Sequence, residues 1–260
     1  MSDLKVKTMA EYAASGETPE ILFWVGCAGS FDDRAKKITR AIVKILNHVG
    51  MKFAVLGTEE SCTGDPAKRA GNEFLFQMQA MNNITVLNNY SVKKIVTGCP
   101  HCYNTLKNEY PGLGGNYEVI HHTQLVQQLI DAGKLKVKGG SFSGKKITYH
   151  DACYLGRAND VYEAPRSVIQ NLDANLDDMK RSRENGFCCG AGGAQMFKEP
   201  EKGTKDVNIE RTEEALTLKP DVIATACPFC MTMMTDGVKH FNKEKDVKVM
   251  DIAELAANNL

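Results

Sequence analysis

The chain has 260 residues, of which 43% are apolar and 25% charged, and 32 basic residues balance 32 acidic ones. That is the composition of an ordinary soluble globular protein, long enough for one large domain or two of usual size. Zero net charge argues against a dedicated nucleic-acid binder, and no apolar run approaches the ~20 residues that span a bilayer.

In chain order, Met1 to Glu20 is polar with no apolar h-region, so no secretory leader is expected. Ile21 to Gly26 is a short apolar run ending at Cys27 and reads as a buried strand. Ser30 offers an N-cap before Asp32 and Asp33, and Ile38, Ile42, Ile45 and Leu46 form a helical stripe that Gly50 stops. Lys52 to Gly57 reads as a second strand, Glu73 to Met81 as a helix, Lys93 to Gly98 as a third strand and Tyr117 to Ile120 as a fourth. Leu125 to Ile130 lies on a helix ended by Gly133. Lys134 to Lys146, with Gly139, Gly140 and Gly144, is the candidate linker, which gives expected domains over residues 20–134 and 145–260. The plan then repeats. Lys145 to His150 is a strand leading to Cys153, Val168 to Leu172 is helical, and Asp178 to Gly186 leads into Cys188. Ile209 to Leu218 is helical, Asp221 to Thr225 and Val247 to Met250 are strands, and Ile252 to Ala257 closes the chain as a helix. Alternating strands and helices predict an α/β fold of two pseudo-symmetric halves with mainly parallel sheets.

Nine cysteines fall into two copies of one pattern. One copy runs Cys27, Ser61-Cys62 with Gly64, then Cys99-Pro100-His101-Cys102; the other runs Cys153, Cys188-Cys189-Gly190, then Cys227-Pro228-Phe229-Cys230. Setting Ser61 against Cys188 brings the copies into register within one residue, 34 against 35 positions and 37 against 38. Four and five cysteines account for all nine, with none left over as core filler. A disulfide framework suits secreted chains under about 100 residues and is disfavoured here, so free thiolates in a reducing compartment are expected. Soft thiolates repeated in this way point to metal, with iron–sulfur clusters first. Five thiolates exceed the four of a closed zinc site, whereas four suit either Cys₄ zinc or a four-iron cluster. Cys27, Cys99, Cys153 and Cys227 each follow a predicted strand, so residues scattered in sequence can converge at one sheet edge, where Pro100 and Pro228 can open helices.

On these residues the chain resembles the cysteine-rich CCG domain, present twice in one of the heterodisulfide reductase subunits and in the iron–sulfur subunits of glycolate oxidase and lactate-utilisation systems. The resemblance runs from Phe23 to Cys230 and beyond. It implies a 4Fe–4S cluster, of the non-cubane kind, on Cys153, Cys188, Cys189, Cys227 and Cys230, and a 4Fe–4S cluster or Zn on Cys27, Cys62, Cys99 and Cys102. Ser61 is read as the departure that makes the first site simpler. The stretches Trp24 to Arg34, Cys62 to Asn72 and Cys99 to Tyr110 are similar to the membrane-associated branch that passes electrons between electron-transfer flavoprotein and menaquinone. That resemblance implies an electron-transfer oxidoreductase subunit, cytoplasmic and peripheral at the inner face of the membrane, with no transmembrane segment of its own. Its implied partners are a membrane-bound ferredoxin/haem-type iron–sulfur subunit and electron-transfer flavoprotein. Disulfide reduction by a heterodisulfide reductase-like catalyst and a zinc-stapled assembly scaffold are the alternatives. No catalytic residue is expected beyond the cluster ligands. His101, His121, His122 and His150 are read as structural or supporting residues, Met231, Met233 and Met234 as packing, and Gly190 to Gly193 as room for close backbone approach.

Overall fold

The computed structural model describes residues 4–137, 139–199 and 202–260. It contains two parallel sheets. The first half runs β1 Lys7–Thr8, α1 Met9–Ser15, β2 Ile21–Trp24, α2 Gly26–Phe31, α3 Ala35–His48, β3 Phe53–Val55, α4 Asp65–Arg69, α5 Glu73–Asn89, β4 Lys94–Thr97, α6 Pro100–Asn104, β5 Glu118–His121 and α7 His122–Asp131. The second runs β6 Lys146–Tyr149, α8 Glu163–Asn171, β7 Asn175–Leu176, α9 Val207–Thr217, β8 Val222–Thr225, α10 Pro228–His240, β9 Lys248–Asp251 and α11 Ile252–Ala257. Strand orders are β1-β3-β2-β4-β5 and β7-β6-β8-β9, every pair parallel. Without the short edge strand β1, both sheets have the same doubly wound order, so the repeat in sequence is a repeat in topology.

Strand β2 is apolar throughout, and Ile21, Leu22, Phe23 and Trp24 are all buried, as in a parallel sheet covered on both faces. Four elements differ from the sequence expectation. Ser30 lies inside α2 rather than capping α3; Asp32 makes the cap, its Oδ1 accepting from Ala35 N at 2.7 Å. Helix α5 runs on past Met81 to Asn89. It buries Phe76, Ala80, Ile84 and Leu87 on one face yet leaves Phe74, Met78 and Met81 exposed on another, so apolar residues surround it and blur its period. Strands β1 and β7 are two residues each, too short to leave an apolar run. Finally, the linker stretch is not free: Leu135, Val137 and Phe142 are buried in the core.

That core is continuous from Met9 to Ala257 and joins the halves. Helix α3 of the first half packs on α11 of the second, and α8 of the second packs on α7 of the first. Since α3 and α8 follow equivalent cysteines, and α7 and α11 follow equivalent strands, the contact is reciprocal about a pseudo-two-fold axis. Arg34 reinforces it with a bidentate grip on Glu254 at 2.8 and 2.7 Å, the stronger geometry for such a pair.

Candidate metal centres

The cysteines arrive from the carboxyl ends of the strands. Cys27 sits in the first turn of α2 after β2, and Cys99 is the N-cap of α6 after β4. β2 and β4 are neighbours at the point where strand order reverses, the place where a crevice opens in such sheets. β6 and β8 repeat the arrangement for Cys153 and Cys227. Pro100 and Pro228 stand at the first helical positions, where a missing N–H costs nothing. Gly26 adopts φ +78°, and a Cβ there would come within 3.3 Å of Cys102 Sγ, so glycine lets the β2 turn close on the thiol.

All nine cysteines are free. Cys27, Cys62, Cys99 and Cys102 interact with one another, as do Cys153, Cys188, Cys189, Cys227 and Cys230. The groups segregate by half, and the thiols of Cys99 and Cys227 interact across the two. Thiols this close share protons unevenly. The Cys188 thiol is pushed down to about 2 by hydrogen bonds from Cys153 and Cys189, while Cys153 is pushed up by its bond to Cys188. Cys62 is lowered to about 7 by Cys27, which is itself raised. Removing every proton needs a cation among the sulfurs, and this donor set fits a thiolate-bound metal or cluster.

The register of the two copies differs from the sequence expectation. Gly64 N donates to Cys62 Sγ at 3.5 Å, and Gly190 N donates to Cys188 Sγ at 3.2 Å. Both glycines are left-handed, at φ +89° and +92°. Cys62 pairs with Cys27 as Cys188 pairs with Cys153. Cys62-Thr63-Gly64 therefore superposes on Cys188-Cys189-Gly190, and the residue replacing the fifth cysteine is Thr63, not Ser61. Thr63 is buried, with Oγ1 3.9 Å from Cys102 Sγ, as Cys189 contacts Cys230. Ser61 instead donates to Asn83 Oδ1 at 2.8 Å. The signal was in the glycine: Gly64 and Gly190 each stand two positions after Cys62 and Cys188, and Cys27 to Cys62 matches Cys153 to Cys188 at 35 positions, although Cys62 to Cys99 is then 37 against 39.

The surroundings are unlike. Beside the first set, His101 Nδ1 lies 2.8 Å from Asp65, which Arg69 also grips at 3.1 Å. Asn83 holds the cysteine loop, donating to Cys62 O at 2.9 Å and to Tyr110 Oη at 3.0 Å. Beside the second set, fully buried Arg211 donates Nε to His150 Nδ1 at 3.0 Å and pairs with Glu214. His150 lies with Cys189 and Cys230, their ligand atoms within 4.8 Å of one another, and burial holds it down at about 3, so it is neutral. Arg166 clasps Asp151 at 2.8 and 2.9 Å and also Asp178. Asn83, Arg166 and Arg211 carried no local signal, because each reaches its site from a helix remote in sequence. Met231 and Met234 are buried packing, as expected.

A family profile described as a cysteine-rich domain matches the chain twice, over residues 21–107 and 147–235. The chain belongs to the CCG cysteine-rich domain family. Among curated CCG relatives, it is 48% identical over 246 residues to the EtfAB:quinone oxidoreductase of Syntrophomonas wolfei, covering 92% of this chain and 34% of that protein. It is 46% identical over 259 residues to the probable iron-sulfur-binding oxidoreductase FadF of Bacillus subtilis, covering 99% and 36%. It is 35% identical over 248 residues to a dihydromethanophenazine:CoB–CoM heterodisulfide reductase subunit from Methanosarcina barkeri, covering 93% and 59%. The chain thus spans about a third of the length of the first two. Among the described residues, no helix is long and apolar enough to cross a membrane.

Proposed function

We propose that this CCG protein is an iron–sulfur electron-transfer component of a larger oxidoreductase, linking a flavoprotein of the electron-transfer type to a quinone pool through membrane-associated partners. The observation that carries this reading is the pair of convergent thiol sets interacting through Cys99 and Cys227. The relatives named for quinone oxidoreduction and iron–sulfur binding support it. In this reading Cys153, Cys188, Cys189, Cys227 and Cys230 hold a 4Fe–4S cluster of the non-cubane kind. Cys27, Cys62, Cys99 and Cys102 hold a simpler centre, cubane or zinc, because Thr63 supplies a hydroxyl where the second site has a thiolate. Working domain limits are residues 20–134 and 145–260, and the expected partners are a ferredoxin/haem-type membrane subunit and electron-transfer flavoprotein at the inner membrane face. Bound clusters supply one-electron carriers; the protein fixes their spacing, keeps water from Cys99, Cys102, Cys189, Cys227 and Cys230, and sets local charge.

The relationship to a heterodisulfide reductase favours a second reading, reduction of a disulfide at the five-thiolate site. Anaerobic iron and acid-labile sulfide analysis tests the common premise: Cys189→Ala or Cys227→Ala removes about half the iron where the first centre is cubane and nearly all of it where that centre is zinc, whereas a protein holding zinc and no sulfide defeats both readings. Thiol release from a supplied disulfide then separates the second reading from the first.

A further inference from the structure

The pseudo-two-fold axis runs through pairs of equivalent residues, one from each half. Cys99 interacts with Cys227, and His101 faces Phe229 with ring centroids 5.3 Å apart. Behind them lie the starts of α7 and α11, where His121 and Asp251 are equivalent: each ends the last strand of its sheet and N-caps the next helix in a capping box. His121 is paired in register with Thr97, two residues before Cys99, and Asp251 with Thr225, two residues before Cys227.

His121, Asp251, Thr97 and Thr225 are fully buried. His122 Nε2 stands 2.9 Å from Asp251 Oδ1 across the halves. His121 Nδ1 lies 2.9 Å from Thr123 Oγ1 and accepts from Thr123 N at 3.4 Å. Its Nε2 has no hydrogen-bond partner among the described residues, and the ring neighbours the backbones of Gly98 and Ala226, the residues immediately before Cys99 and Cys227. Burial holds the ring neutral. The ring thus stands between the backbones of the two cysteine turns, where a helix cap alone requires only Nδ1.

We propose that His121 is a positioning residue that holds Cys99 against Cys227, with the His122–Asp251 contact as its brace, so that the two metal centres act as one coupled unit. This rests on the reading that both thiol sets bind metal. The coupling passes through contiguous packed groups with no solvent between them, since Cys99, Cys227, His121 and Asp251 are all buried.

The experiment is a double-mutant cycle on the full holo chain, prepared anaerobically. Cys27→Ala disables the first site, and the second centre is followed by its midpoint potential and electron paramagnetic resonance g values. In the wild-type background the loss of the first centre shifts both. In His121→Leu that shift is abolished or reversed in sign, while iron at the second site is retained. In His121→Asn, which keeps a cap acceptor and an N–H donor, the shift returns towards its wild-type size. If His121→Leu does not fold, His121→Gln, which retains a donor on a longer arm, replaces it and is expected to reduce the shift. A second centre indifferent to Cys27→Ala in the wild type overturns the coupling. A shift of equal size in wild type and His121 variants, with only the melting temperature changed, overturns the positioning role. Wild-type protein without iron and sulfide instead defeats the metal reading, and this proposal with it.

Discussion

Replacing Thr63 by cysteine asks whether one side chain sets the difference between the two sites. Thr63 is 2% exposed, and its Oγ1 is 3.9 Å from Cys102 Sγ, so a thiol there needs no new space. The exchange deletes one buried methyl, costing about 0.8 kcal/mol. It adds a thiolate to a set of four, in a class of site where thiolate-bound metal contributes on the order of 10 kcal/mol to folding. Metal selection should therefore dominate the packing loss. Thr63→Cys, reconstituted anaerobically with iron and sulfide, is expected to give a first-site spectrum that converges on that of the second site, with little change in apo-protein stability. Ser61→Cys is the control. It loses the bond to Asn83, about 1 kcal/mol, and presents no new ligand. A second five-thiolate signature in Ser61→Cys, or an unchanged spectrum in Thr63→Cys, would refute the register drawn from Gly64 and Gly190.

Asn83→Ala strips partners from Cys62 O and Tyr110 Oη and should cost on the order of 3 kcal/mol, read as a lower melting temperature and faster metal loss from the first site. Gly64→Ala forces a left-handed alanine at φ +89° and sets its Cβ 2.8 Å from the Phe76 ring; at least about 2 kcal/mol should be lost, with first-site metal content falling. Arg166→Met leaves Asp151 and Asp178 unpaired and should destabilise the protein by about 3–5 kcal/mol in denaturant titrations. The same pair sets acid sensitivity. Burial pushes the Asp151 carboxyl up, but the Arg166 hydrogen bonds outweigh it and hold it below the ordinary value. Its contribution is therefore complete above the unfolded value of about 3.9 and fades as pH falls through the lower folded one. Asp151→Asn should flatten that limb of the stability–pH curve.

Most of the strand plan was legible because buried parallel strands are short apolar runs, and Ile21 to Trp24, Ile95 to Val96 and Val222 to Thr225 announce themselves. The cysteines were legible as two sets because strand ends converge in such sheets. What escaped was of two kinds. Two-residue strands and a helix apolar on both sides carry no periodic signal. The choice between Ser61 and Thr63 turned on backbone handedness at one glycine, and the spacings pull both ways, 35 against 35 before the loop but 37 against 39 after it. The pairing of His122 with Asp251 lay beyond reach, since nothing local reports a contact spanning 129 positions.

The reciprocal packing of helices also imposes an order on synthesis. Helix α3 is made well before α11, which covers it: Lys44 Nζ bonds Ala257 O across 213 positions. A nascent first half can assemble its own sheet and gather its four cysteines while its inner face still lacks a cover. Cys99 gains its neighbour Cys227 only when the second half has been made. The first set of thiols is therefore made in full before its neighbour from the second half.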